Sequence, residues 1–207
     1  NTGKAVGFGD NNQRQLGQGK NSDTPLYAGI ENGPVSIFVA LTTHLLNVNS
    51  VSAGGSHALV HLTSGQVVAI GDNGNGQLGI GNYTDKSNPV TVMDSTNSDS
   101  LFNVEQVAAG ANHSLFLVSS SSLLAAGANS YGQLGDGTTT QSNLPKAITP
   151  PAGKTIQKIF AGDFHSLLLM TDGTLWAMGS NEYGQLGVPL GVNTYEATPV
   201  EVVFQND

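Results

Sequence analysis

The chain has 207 residues, 38% hydrophobic and only 11% charged, with 27 glycines, eight prolines and no cysteine. Its net charge of −8 works against nucleic acid or anionic lipid as a partner and fits a basic partner or plain solubility. The lack of cysteine excludes thiolate catalysis and cysteine-ligated zinc, and no apolar run approaches the roughly 18 residues of a membrane span.

Read in chain order, the first element is a short β-prone run from Lys4 to Phe8. It leads into a glycine-rich phrase, Gly9-Asp10-Asn11-Asn12-Gln13-Arg14-Gln15-Leu16-Gly17. Residues 31 to 50 match no other part of the chain. Within them Val35 to Leu41 is an apolar run, expected as an added edge strand, with Phe38 as a candidate partner contact. The glycine-rich phrase returns as Gly71-Asp72-Asn73-Gly74-Asn75-Gly76-Gln77-Leu78-Gly79, and again from Gly127 to Gly135 and from Gly179 to Gly187.

A second phrase keeps step with it: Ala53-Gly54-Gly55-Ser56-His57-Ala58-Leu59, Ala109-Gly110-Ala111-Asn112-His113-Ser114-Leu115, and Ala161-Gly162-Asp163-Phe164-His165-Ser166-Leu167. Gly54 to Gly71, Gly110 to Gly127 and Gly162 to Gly179 each span 17 positions. A fixed inner distance within a looser outer period marks a rigid supersecondary unit stacked on its own copies.

One copy shows the strands. Val104 to Ala109 is β-prone, His113 to Val118 is apolar, Leu123 to Ala126 is a third run, and a fourth begins at Pro145. In the next copy Ile156 to Ala161, His165 to Met170 and Thr174 to Met178 follow suit, with a hairpin at Thr171-Asp172-Gly173. Pro25, Pro89, Pro145 and Pro199 are each expected to open a fourth strand, where a missing N–H does least harm.

Four short strands repeated every ~40–50 residues predict an all-β propeller of four-stranded antiparallel blades, about three and a half to four repeats in this chain. The repeats are approximately 1–50 (partial), 51–103, 104–155 and 156–207 (partial), in one propeller domain or segment over 1–207.

The two interlocked phrases resemble the regulator of chromosome condensation repeat. That resemblance covers nearly the whole chain and implies a propeller usually of seven blades. The first copy departs from the pattern, with Arg14 where Gly76, Gly132 and Gly184 stand. Some members catalyse guanine nucleotide exchange on a small GTPase. That activity is associated with a wedge on one face, and no residue here is assigned to it.

The motif residues read as structural: Gly54, His57, Gly71, Gly79, Gly110, His113, Gly127, Gly135, Gly162, His165, Gly179 and Gly187. The glycines suit positive φ or close packing. The three histidines hold the same place in three repeats, so each is expected to serve its own blade, bonded to nearby backbone, rather than to share a metal. Leu78, Leu134 and Leu186 are expected between blades. Trp176 reads as core. Tyr131 and Tyr183, in the glycine-rich loops, are candidate partner contacts.

No nucleophile elbow, phosphate-binding loop or metalloprotease helix is present. The expectation is therefore a chain with no catalytic residues, cofactor or metal: a scaffold for protein–protein interaction or assembly, completed by further propeller sequence or another copy. An exchange factor and a structural subunit of an extracellular or surface assembly are the alternatives. Low charge, the absence of cysteine and the start at Asn1 favour an extracellular over a cytoplasmic setting. A sequon at Asn82-Tyr83-Thr84 sits in a loop; a second, at Asn112, lies in the repeat core.

Overall fold

The computed structural model describes residues 47–188 and 194–203. The first glycine-rich copy, Val35 to Leu41 and Phe38 lie outside them. Twelve strands follow in order: β1 (Val48–Ala53), β2 (His57–Leu62), β3 (Val67–Gly71), β4 (Lys86–Thr91), β5 (Gln106–Ala109), β6 (His113–Ser119), β7 (Ser122–Gly127), β8 (Ser142–Ile148), β9 (Ile156–Ala161), β10 (His165–Met170), β11 (Leu175–Ser180) and β12 (Tyr195–Glu201). Each successive four pair in chain order into an antiparallel sheet. Among the described residues no helix is long and apolar enough to cross a membrane.

The constant spacing of 17 has a direct cause. His57 pairs with Gly71, His113 with Gly127 and His165 with Gly179, so each histidine and glycine close one hairpin at the same rung. Outer strands depart from expectation. β4, β8 and β12 begin at Lys86, Ser142 and Tyr195, ahead of Pro89, Pro145 and Pro199. Each proline sits where the register slips: Ala69 pairs with Val90 but Gly71 with Lys86, and Ala125 with Lys146 but Gly127 with Ser142. The third sheet repeats the slip between Ala177 and Gly179. A bulge on an outermost strand tolerates a residue that cannot donate to the ladder.

Strand β1 lies against β5, and β5 against β9, so the sheets fan out from a common inner edge as propeller blades do. The core is divided between the seams. Leu59, Val67, Ala69 and Leu78 of the first sheet meet Phe116 and Ala126 of the second. Leu115, Leu117, Leu123 and Leu134 of the second meet Leu168, Met170 and Met178 of the third. Successive side chains of a strand point to opposite faces. β6 is therefore apolar on both, with Leu115 and Leu117 facing forward and Phe116 back. Each large side chain buried there contributes about 1.5–3 kcal/mol, so adjacent sheets stabilise one another.

Candidate functional site

The glycine-rich loop is built around its asparagine. The Leu78 N–H donates to Asn73 Oδ1 at 3.0 Å, and Leu134 and Leu186 do the same to Asn129 and Asn181. The asparagine amide then donates to carbonyls further along: Asn73 to those of Asn82 and Thr84, Asn129 to those of Thr138 and Thr140. The glutamine braces the entry, accepting from the backbone N–H two residues before it in all three copies. Held this way, Leu78, Leu134 and Leu186 are fully buried.

His57 and His113 do not serve their own blades, nor bond to nearby backbone. His57 Nε2 lies 2.8 Å from Ser114 Oγ of the next sheet, and His113 Nε2 lies 2.9 Å from Ser166 Oγ of the sheet after. Each serine reaches back as well. Ser114 Oγ donates to the Gln77 carbonyl at 2.7 Å and Ser166 Oγ to the Gln133 carbonyl at 2.8 Å. A hydroxyl has one proton to give. With that proton on the glutamine carbonyl, the imidazole must donate from Nε2–H, and Nδ1 carries none. Nδ1 of His57 and His113 is buried with no hydrogen-bond partner.

The rings are neutral for the same reason. Burial lowers the His57 pKa to about 4. Burial, with smaller contributions from His57 and His165, lowers that of His113 to about 3. At His165 burial also lowers the pKa, opposed by the Asp163 carboxylate. The glycine three residues earlier gives the ring its room, since a Cβ on Gly110 would strike the His113 ring and the Gly162 carbonyl. These polar atoms are occupied in joining sheets. Among the described residues no group of three or more His, Cys, Asp or Glu is arranged to hold a metal ion.

Backbone bonds flank the relay. The Gly55 N–H reaches the carbonyls of Gly110 and Ala111, and the Ala111 N–H that of Asp163. Further out, Gly81 and Gly137 donate to the carbonyls of Asn143 and Ala197 in the next sheet's outer strand.

The aromatic candidates separate. Tyr131 and Tyr183 stand on the loop face, and Tyr183 is 85% exposed. Trp176 is partly buried, packed against the second seam, with its Nε1–H towards Thr174 Oγ1 at 3.3 Å. Sequence reasoning passed over two features. The serine after the histidine was legible in two of three copies, and Phe164, 5.5 Å from Tyr131 between ring centroids, carried no repeat signal. Asn82 is exposed, its Oδ1 accepting from the Thr84 N–H.

Two descriptions of the Regulator of chromosome condensation (RCC1) repeat match the chain, one at residues 48–77, 104–133 and 156–185, the other at 64–117, 121–169 and 172–207. The Ultraviolet-B receptor UVR8 of Arabidopsis thaliana is 31% identical over 99% of this chain and 43% of its own length. Human WBSCR16 superposes with a TM-score of 0.78 at 24% identity, over 97% of this chain and 48% of that one. Prp20p of Saccharomyces cerevisiae, whose structure was described with its binding properties to Gsp1p and histones, gives 0.73 at 18% identity, over 97% and 46%. These two structural likenesses show the fold alone. The chain spans less than half the length of these relatives.

Proposed function

The chain belongs to the regulator of chromosome condensation (RCC1) repeat family, and we propose that it is a non-catalytic β-propeller scaffold for protein–protein interaction and assembly, whose third sheet takes up further propeller sequence from the same or another chain. One observation supports this above all. The forward face of the third sheet carries seam residues on which none of the described residues packs as a next sheet. Leu59 and Leu115 are 0% exposed, while Leu167 at the same place is partly exposed; Val67 and Leu123 are buried, while Leu175 is not. Such a face fits another blade of the same kind.

Seam chemistry indicates what that blade carries. Its second strand brings a hydroxyl between His165 and the Gln185 carbonyl, as Ser114 and Ser166 do at the two seams. The first sheet of a second copy covers this face without that bond, because Ala58 holds the position. In the sequence Pro189 holds the position of Gly81 and Gly137, whose N–H groups donate across the existing seams; proline has no N–H.

Light scattering on the 207-residue chain and its Leu167→Asp variant tests the reading, with a nucleotide-release assay on small GTPases beside it. The expected result is association of the parent chain, abolished by the substitution, and no acceleration of release. A stable compact monomer in both cases, or accelerated release, contradicts it.

A further inference from the structure

On a backbone that repeats, one sector of the loop face carries side chains that the rest lacks. The two residues before the motif histidine are Gly55-Ser56 in the first sheet and Ala111-Asn112 in the second, but Asp163-Phe164 in the third. The two before the loop glycine are Gly74-Asn75, then Ser130-Tyr131, then Glu182-Tyr183. The aromatic and acidic substitutions therefore gather from the second loop onwards.

The Tyr131 and Phe164 rings meet across the seam at 5.5 Å with their planes inclined by 55°. They are 37% and 44% exposed. With Asp163, Glu182 and Tyr183 they line a cleft of about 370 Å³ whose floor includes His165. The ion pairs among the described residues are Lys146–Asp136 and Lys154–Asp172, so no described cation neutralises Asp163 or Glu182. A following sheet would cover the floor and leave the wall open. At the existing seams the matching positions Gly55, Gly74, Ser130 and Tyr131 are exposed, and Ala111 and Asn75 partly so.

We propose that this sector docks a basic segment of a protein partner, seating an arginine or lysine head group against the Tyr131–Phe164 pair with Asp163 and Glu182 as its counter-charges. The proposal rests on the protein-binding reading above and names the chemistry of the partner. Aromatic faces attract cations, more so once water is displaced. Two unneutralised carboxylates beside them repel an acidic or phosphorylated segment, and a purely apolar one would desolvate them without return. The chain as a whole, with 15 acidic and seven basic residues, steers the same class of partner towards it.

The test uses the 207-residue chain and a fluorescein-labelled nona-arginine peptide, read by anisotropy at low and physiological salt. Asp163→Asn/Glu182→Gln and Phe164→Ala should each weaken binding roughly tenfold. Glu105→Gln/Glu201→Gln removes the same charge from exposed positions elsewhere and should change it less than about twofold. Urea unfolding of each variant verifies that the fold is kept. Absence of binding, unchanged binding in the rim variants, or an equal loss in the Glu105/Glu201 variant overturns the site. Such a failure, with association through Leu167 intact, removes this docking site and leaves the scaffold reading standing. Rim binding without that association keeps the docking site and protein binding, and removes only the assembly part of the reading.

Discussion

His113 in β6 and Ser166 in β10 are 53 residues apart in sequence and 2.9 Å apart in space. Their bond crosses the seam between two sheets, and the same serine hydroxyl donates back to the Gln133 carbonyl of the sheet that holds His113. Ser166→Ala leaves a buried N–H and a buried carbonyl without that partner. The expected loss is about 1–3 kcal/mol in urea unfolding. His113→Ala should cost a similar amount, and the double variant less than the sum, because both remove one bond. Strict additivity would show that the two do not act together.

The same relay makes stability depend on pH. An unfolded histidine titrates near 6.5, while folded His57 and His113 do so at about 4 and about 3. Below pH 6.5 the unfolded chain binds protons that the folded chain refuses. The contribution is therefore complete above 6.5 and is lost progressively as the pH falls from 6.5 towards the folded values. At pH 5 each of these histidines should have cost about 2 kcal/mol relative to neutral pH. Urea midpoints at pH 7.5 and 5 check this, and a His57→Ala/His113→Ala variant should show a weaker dependence.

Gly132 and Gly184 separate backbone strain from seam packing. Their φ values are +73° and +76°, so an added methyl meets the same conformational penalty at both. A Cβ on Gly132 would reach within 2.5 Å of Ala197 Cα in β12, whereas one on Gly184 would meet none of the described residues within 4 Å. Gly132→Ala should lower the melting temperature clearly more than Gly184→Ala. Equal losses would confine the glycine's role to φ.

Much of this was legible because a hairpin is local. Gly54 and Gly71 recur at fixed distance since His57 pairs with Gly71, and a two-residue alternation within one strand is visible in the letters. What lies between sheets was not. Ser114 reads as one small polar residue in an apolar strand, and only the sheet packing places it between His57 and the Gln77 carbonyl. Pro145 looked like a strand start because proline is rare inside a ladder; a bulge on an outer strand supplies the exception. The stretch from Met93 to Asn103 is largely Ser, Asp and Asn. Asp94 does cap its own turn through the Thr96 and Ser98 N–H groups, yet Leu101 leaves it for the first seam.

The central claim, that the third sheet awaits a blade bearing a hydroxyl, is tested most directly by the NMR titration of His165. It is measured in the 207-residue chain and in the same chain extended by a second copy of residues 156–207, which carries the counterpart of Ser166. In the parent chain His165 is only partly buried. The account predicts that in the extended chain its pKa falls further, towards those of His57 and His113, and its ring becomes the neutral Nε2–H form. Replacing the added serine with alanine should remove that Nε2 hydrogen bond. An identical titration of His165 in the parent and extended chains would contradict the account.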